Sequence, residues 1–244
     1  MNGGTEVVVS AVRSLARDVL AIELSHRGGA ALPGAAPGAH IDLALPNGLT
    51  RQYSLVNADG AERQPHYLVA VGRDAHSRGG SSWIHDQLRT GQVLRVSAPR
   101  NLFAMDPAHR RVLLVAGGIG VTPILSMGRR LQQLGKSFEV LYFARSRQSA
   151  ALTAEIEALG VPVHWHFDAE KGGPPDLKAL LGARGGVANT HFYACGPSVM
   201  LDNFVATCEA LGHGNAHIER FAAVEVAASA DAKQSYTVEL KRSG

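Results

Sequence analysis

Four short stretches carry residue types that suit a phosphorylated, planar ligand. In Arg51-Gln52-Tyr53-Ser54, strand alternation would put Arg51 and Tyr53 on one face and Gln52 and Ser54 on the other. An arginine beside a tyrosine can pair with a phosphate while the ring stacks on a flat ligand. The bland alternative is an exposed strand face. In Arg78-Gly79-Gly80-Ser81-Ser82-Trp83, glycines and serines precede a short apolar stretch, so unpaired N–H groups and hydroxyls at a helix start would make an anion site, with Arg78 adding charge. The alternative is a flexible loop with a serine cap.

The third stretch, Gly117-Gly118-Ile119-Gly120-Val121-Thr122-Pro123, ends an apolar run, Val112–Ala116, and opens a pattern of helical period through Met127, Leu131 and Leu134. Strand, glycine turn, helix is the context that a dinucleotide fingerprint requires. Gly118 and Gly120 would allow the sharp turn, Thr122 would cap the helix, and Pro123 would take its first position, where no N–H is needed. Pro123 stands where the usual third glycine would be. The next strand closes with Phe143-Ala144-Arg145-Ser146-Arg147 rather than an acid; an Asp or Glu there grips ribose hydroxyls, whereas Arg145 and its neighbours would tolerate a 2′-phosphate. The fourth stretch, Cys195-Gly196-Pro197, follows another apolar strand and would open on the same crevice. A free cysteine is otherwise a small core residue.

These stretches sit on two kinds of chain. Up to about Pro107 the sequence is a succession of short β-type segments: 6–12, 19–25, 40–45, 51–56, 67–71 and 93–97, with a helix-like interruption at 82–88. Frequent Gly, Pro and Asn between them suggest an antiparallel barrel or sandwich. The Gly-, Ala- and Pro-rich stretch 27–38 reads as an exposed loop. After Pro107, strands at 112–116, 138–143, 161–167, 191–194 and 216–221 alternate with helices at 122–134, 152–159, 176–181 and 199–211. That alternation predicts a parallel, doubly wound sheet. An Ala-rich linker then leads to a last strand-like segment, Tyr236–Leu240, which reads as the first piece of a further domain, with an edge strand folded back as the alternative.

Of the 244 residues, 45% are hydrophobic and 18% charged, with a net charge of +3, a balance expected of a globular protein with ample core. The basic residues are dispersed and not interleaved with aromatics, which argues against nucleic acid. No apolar run is long enough to span a bilayer and no signal-peptide pattern opens the chain, so no membrane partner and a cytoplasmic location are expected. Cys195 and Cys208 cannot build a disulfide framework, and His164 and His166 lack a third ligand at metal spacing, so no metal is expected.

Taken in order, Arg-x-Tyr-Ser, Arg-Gly-Gly-Ser, Gly-Gly-Ile-Gly-Val-Thr-Pro, Cys-Gly-Pro and Glu219-Arg220-Phe221 make the chain resemble the ferredoxin–NADP reductase superfamily, and within it the branch of phthalate dioxygenase and vanillate demethylase reductases. The resemblance implies a six-stranded antiparallel flavin-binding barrel over residues 1–106, a doubly wound nucleotide-binding domain over 107–224, and in 225–244 a linker and the first strand of a [2Fe–2S] ferredoxin domain. Arg51 would bind the flavin phosphate, Tyr53 would lie against the isoalloxazine and Ser54 near N5. Gly80, Ser81 and Ser82 would form the phosphate loop. Gly118, Gly120, Thr122 and Pro123 would hold the pyridine nucleotide, with Cys195 near the nicotinamide and Phe221 beside the flavin; Ser54 and Cys195 are the implied catalytic pair. FMN is the implied flavin, with FAD the alternative, and NADH the implied donor, with NADPH kept open by Arg145 and Arg147. The Cys-x4-Cys-x2-Cys run of a plant-type cluster is absent from these residues, so the iron–sulfur centre would belong to a missing domain or a separate protein feeding a terminal oxygenase. A non-catalytic flavin redox sensor is the reading from another class.

Overall fold

A computed structural model of the chain describes residues 4–184 and 190–221. The expected linker and strand over 225–244 lie outside the described residues. The first half contains β1 (Thr5–Ala16), β2 (Val19–His26), β3 (Leu32–Pro33), β4 (His40–Ala44), β5 (Thr50–Ser54), β6 (Arg63–Gln64), β7 (His66–Gly72) and β8 (Val93–Val96), with α1 (Gly80–Gln87) between the last two. Six of these strands form an antiparallel sheet in the order β5-β4-β8-β1-β2-β7. A bridge between Leu55 and Val69 brings the two edges together and closes the barrel. β1 is long enough to pair on both sides because it bends: its register with β2 slips between Val9 and Ala11 and again between Ser14 and Ala16, the signature of bulges. Alternate residues point inward, and Val7, Val9, Ile22, Leu24, Ile41, Leu43, Val69 and Val96 fill the interior.

The stretch 27–38 departs from expectation. Its first residues are exposed, but Leu32 and Ala35 are buried and β3 pairs with β6. Leu32 and Ala35 add to the barrel core, which a Gly- and Pro-rich composition conceals.

The second half contains β9 (Arg111–Gly117), α2 (Val121–Gln133), β10 (Phe138–Ala144), α3 (Thr153–Glu157), β11 (Val163–Phe167), α4 (Asp168–Lys171), α5 (Leu177–Gly182), β12 (Thr190–Cys195), α6 (Ser198–Ala210) and β13 (Ala216–Glu219). All five strands are parallel, in the order β11-β10-β9-β12-β13. Even positions of β9 (Val112, Leu114, Ala116) pack with α2 and α3, and odd ones (Leu113, Val115) with α5 and α6. The sheet is therefore covered on both faces, which is why its strands read as unbroken apolar runs. Between β9 and β12 the strand order reverses, the point where doubly wound sheets bind ligands. The last strand stops at Glu219, two residues short of the expected end, and the four-residue α4 carries no apolar periodicity that would reveal it.

The halves are packed on each other. Val19, Val56, Ala70 and Phe103 from the first half belong to the same core as α2 and β9, Gly38 N–H donates to Ser126 Oγ at 3.1 Å, and Arg129 donates to the Val56 carbonyl at 3.2 Å. The connection before β9 is fixed from below. Tyr193 Oη accepts from Asp106 N–H at 3.2 Å and lies 3.1 Å from His109 Nδ1. The His109 ring stacks on His191 with centroids 3.2 Å apart, and His191 Nδ1 sits 3.4 Å from His217 Nε2. Burial first, then the neighbouring His191, holds His109 and His217 below the usual imidazole range. A group that binds its proton less well when folded stabilises the fold above its unfolded pKa of about 6.5, and that stability is lost as pH falls through the folded value. In urea titrations from pH 7.5 to 5, wild type should lose more stability than His109→Gln, so the gap between them narrows; a constant gap would show that His109 does not titrate on unfolding.

Candidate functional site

A cleft of about 560 Å³ runs along the seam between the barrel and the parallel sheet. Arg51, Gln52, Tyr53 and Ser54 of β5 line one side, Arg78 and Ser81 one end, and Ile119, Thr122 and Phe221 the opposite wall. Three of the four sequence stretches thus meet in one cavity. Residues from both faces of β5 line it, Arg51 and Tyr53 from one and Gln52 and Ser54 from the other. Burial pushes the Tyr53 phenol up to about 12 despite the opposing charge of Arg51, so its hydroxyl stays neutral.

At the Arg78 end, α1 begins two residues before the expected start, at Gly80. Its N-cap is Gly79, with φ 85° and no side-chain cap, so a serine is not the cap. The backbone turns there through the left-handed region, which glycine enters without strain. Ser77 Oγ accepts from Ser82 N–H at 3.2 Å and from Ser81 Oγ at 3.0 Å. A helix's first N–H groups have no acceptor within the helix, so those of Gly80 and Ser81 remain directed out of the first turn. The Arg51 guanidinium is fixed beside them by the carbonyls of Thr50 (2.9 Å) and Arg78 (3.0 Å). A Cβ on Gly80 would come within 2.5 Å of Arg51 Nε, so the glycine makes room for the guanidinium. Arg51, Arg78 and the start of α1 thus lie at the same end of the cleft, a combination of groups that suits an anion.

Ser54, which lines the cleft, leads to a trio that joins the halves, completed by Glu219 and Cys195 outside the lining. Ser54 Oγ is buried and makes no hydrogen bond of good geometry, yet it stands near enough to the Glu219 carboxyl to lower its pKa against the larger effect of burial. The net result raises Glu219 to about 7. On its far side, Cys195 Sγ approaches Glu219 Oε2 at 4.0 Å. Parallel pairing of β12 with β13 sets Cys195 opposite Glu219. Cys195 itself is fully buried, and burial followed by the Glu219 charge pushes its thiol well above the ordinary range. That shift favours the neutral thiol, which suits a weak donor and a small wall rather than a reactive thiolate.

The glycine turn has two distinct jobs. Gly118 has φ 53° and open space around its Cα, as a ligand's approach requires. Gly120 is instead pressed against the neighbouring strand end: a Cβ there would fall 2.2 Å from the Cys195 carbonyl oxygen. α2 starts at Val121 with Gly120 as its N-cap, so Thr122 is not the cap and Pro123 is the third helical residue, still within the turn where a missing N–H costs nothing. Thr122 Oγ1 donates to the Ile119 carbonyl at 3.1 Å. Gly196 and Pro197 lie against Gly117, and Pro197 is the N-cap of α6. Arg145 is exposed just past β10, while the Ser146 and Ser149 side chains hold one another 3.2 Å apart in a capping box. Phe221 is half-exposed on the cleft wall. Glu219 is the residue that local sequence reading passes over; its signal was its place in Glu-Arg-Phe at the end of the last strand.

Comparison with known proteins decides what this arrangement belongs to. The chain is 52% identical over 245 aligned residues to a putative toluene-4-sulfonate monooxygenase system reductase subunit of Comamonas testosteroni, covering 100% of this chain and 76% of that protein. It is 41% identical to a vanillate O-demethylase oxidoreductase of a Pseudomonas strain, covering 89% and 69%. The chain belongs to the phthalate dioxygenase reductase branch of the ferredoxin–NADP reductase superfamily. It is an NAD(P)H-dependent flavoprotein oxidoreductase of the electron-transfer kind. The solved phthalate dioxygenase reductase, described as modular for electron transfer from pyridine nucleotides to [2Fe–2S], superposes with a TM-score of 0.81 at 33% identity, over 93% of this chain and 71% of that one. No family model matches the chain. Among the described residues no helix is long and apolar enough to cross a membrane.

Proposed function

We propose that this chain is the NADH-dependent reductase of a Rieske-type aromatic oxygenase or demethylase system, moving electrons from NADH through FMN to an iron–sulfur centre that serves a terminal oxygenase. The observation that carries the reading is the seam cleft, lined by Arg51, Arg78 and Ser81 where a phosphate would sit and by Ser54, whose hydroxyl interacts with the Glu219 carboxyl behind it. FMN, when bound, supplies the conversion of a two-electron donor into one-electron deliveries.

The residues present fit such a group. Ser54 Oγ is a buried polar atom lacking a well-formed partner, and buried hydroxyls are seldom left so without a ligand to meet them. The Arg51–Gly80 cradle suits a phosphate monoester, whose charge of nearly two needs more than one cation. FMN is favoured over FAD by the neighbouring concavity, lined by Asp18, Arg73, Asp74 and Ser77. Arg73 is spent there on Asp86, at 2.9 and 3.2 Å, which leaves Asp18 and Asp74 in the lining, a poor setting for a second phosphate. Tyr53 and Phe221 would flank the ring system. Gly118, Gly120, Thr122 and Pro123 would place the donor's phosphates at the start of α2, and Cys195, Gly196 and Pro197 would border its nicotinamide. Residues 1–106 would then be the flavin-binding domain and 107–224 the nucleotide-binding domain, with Arg145 and Ser146 near the adenosine.

The cofactor released from the protein by heating should have the mass of FMN. Arg51→Ala should weaken FMN binding by about 10²-fold, the loss expected for charge-assisted bonds to a phosphate; fluorescence titration of the apoprotein measures it, and unchanged affinity would remove Arg51 from the phosphate site. Stopped-flow reduction should be fast with NADH and followed by electron delivery to an added one-electron acceptor. A protein that binds no flavin would overturn the whole proposal.

A further inference from the structure

In a doubly wound sheet the adenosine half of a dinucleotide lies over the strand next to the glycine turn, so the residues just beyond that strand meet the ribose. Here that strand is β10, whose Phe143 pairs with Gly117 and whose Ala144 pairs with Phe167 at the end of β11. Beyond it stand two arginines in unlike states. Arg145 is exposed and enters none of the side-chain hydrogen bonds or ion pairs of the described residues. Arg147 is occupied: Nε and Nη2 grip the two oxygens of Glu170 at 2.7 and 3.2 Å, and its guanidinium carbon sits 4.6 Å over the Phe167 ring. Glu170 comes from α4, the short helix that leaves β11 directly at the carboxyl edge of the sheet. The pair is open to solvent, with Arg147 67% and Glu170 43% exposed, so it is not a buried structural bridge. Fork-to-carboxylate geometry and stacking on a ring nevertheless fix where the guanidinium points.

Resting on the nucleotide-binding reading above, we propose that Glu170 sets the choice between NADH and NADPH by holding Arg147 away from the ribose. A 2′-phosphate carries charge that one free arginine meets weakly and two arginines would clamp. Glu170 withdraws the second arginine and adds a negative charge to the same wall. A nucleotide with a bare 2′-hydroxyl needs neither arginine. Arginine near this position alone would predict tolerance of a 2′-phosphate; the Glu170 pairing reverses that expectation for Arg147. An exposed pair is a weak clamp, so the discrimination it gives is modest and removable.

The test uses the flavin-loaded protein and two half-nucleotides, 2′,5′-ADP and 5′-AMP, whose dissociation constants are measured by calorimetry independently of turnover. Glu170→Gln should shift the ratio of the two affinities toward 2′,5′-ADP by about tenfold, as expected when one charge-assisted contact to a phosphate is gained. Most of that gain should vanish when Glu170→Gln is made in an Arg147→Ala background. An unchanged ratio, or an equal gain in both backgrounds, would overturn the assignment, the second by showing that only charge repulsion is at work. A protein that still binds 5′-AMP and is reduced by NADH while the ratio stays fixed loses this inference alone; one that binds neither half-nucleotide loses the nucleotide-binding reading with it.

Discussion

Glu219→Gln should slow NADH-driven electron delivery to an acceptor by about 10²-fold, the loss typical of a positioned proton carrier, and should flatten the pH dependence around 7. Glu219 lies on the barrel-facing end of β13, with Ser54 Oγ on one side and Cys195 Sγ on the other. Burial raises its pKa to about 7, so near neutrality it is as ready to give a proton as to take one, which is what a carrier between a buried atom and solvent requires. Ser54 Oγ sits between Glu219 and the cleft and can pass that proton on. Gln keeps the size and a donor but cannot titrate. Ser54→Ala should share the rate loss while leaving the Glu219 titration in place, shifted further up because the hydroxyl that lowers it is gone.

Linkage supplies a readout independent of turnover. A carboxyl whose folded pKa is raised binds its proton more tightly when folded. Its stabilisation is complete below the unfolded pKa of about 4.3 and is lost as pH rises through the folded value. Wild type should therefore lose stability relative to Glu219→Gln between pH 5 and pH 8 in urea melts. Equal pH profiles for both proteins, in stability and in rate, would remove Glu219 from the proton path and leave it a half-buried strand residue.

Much of this fold is legible in the residues because its two halves follow different periods. Alternation in Val7–Val9 and Ile41–Leu43 marks strands with one face in a barrel, while the unbroken run Val112–Ala116 marks a strand covered on both faces. What local pattern misplaces are helix starts: α1 and α2 each begin one or two residues before the polar residue that looks like a cap, because glycines at 79 and 120 take the cap position instead. Composition also hides Leu32 and Ala35, apolar residues set among glycines and prolines that still reach the core. Among site residues, Arg51 to Ser54 and the glycine turn announce themselves by spacing. Glu219 and Glu170 do not, since the first gains its environment from pairing with Cys195 and the second from a four-residue helix that brings it to Arg147. Both depend on contacts between elements distant in sequence, which no window of neighbouring residues contains.

Gly120→Ala should be among the most damaging single changes in the chain, and Gly118→Ala a mild one, although the two stand side by side in one motif. An alanine Cβ at 120 would lie 2.2 Å from the Cys195 carbonyl oxygen, 2.4 Å from its carbon and 2.7 Å from Gly196 N. All three are backbone atoms at the end of β12, a central strand held between β9 and β13, so no rotamer can relieve the clash. The strand end or α2 must move, with an expected cost of about 3 kcal/mol or more for forced overpacking. At 118 the same atom would meet nothing within 4 Å, and the cost is the left-handed backbone, about 1–2 kcal/mol for a residue with a Cβ. Thermal melts should separate the two variants, since each kcal/mol moves the midpoint by roughly 2–4 °C in a chain of this size. The functional consequence separates them in the opposite sense to simple phosphate contact. Gly120 is what brings the glycine turn and Cys195-Gly196-Pro197 to van der Waals distance, so its loss should spread the crevice that would seat the nicotinamide and slow reduction by NADH more than it weakens 5′-AMP binding. A Gly120→Ala protein as stable and as readily reduced as wild type would mean that the two strand ends are not locked together as this packing requires.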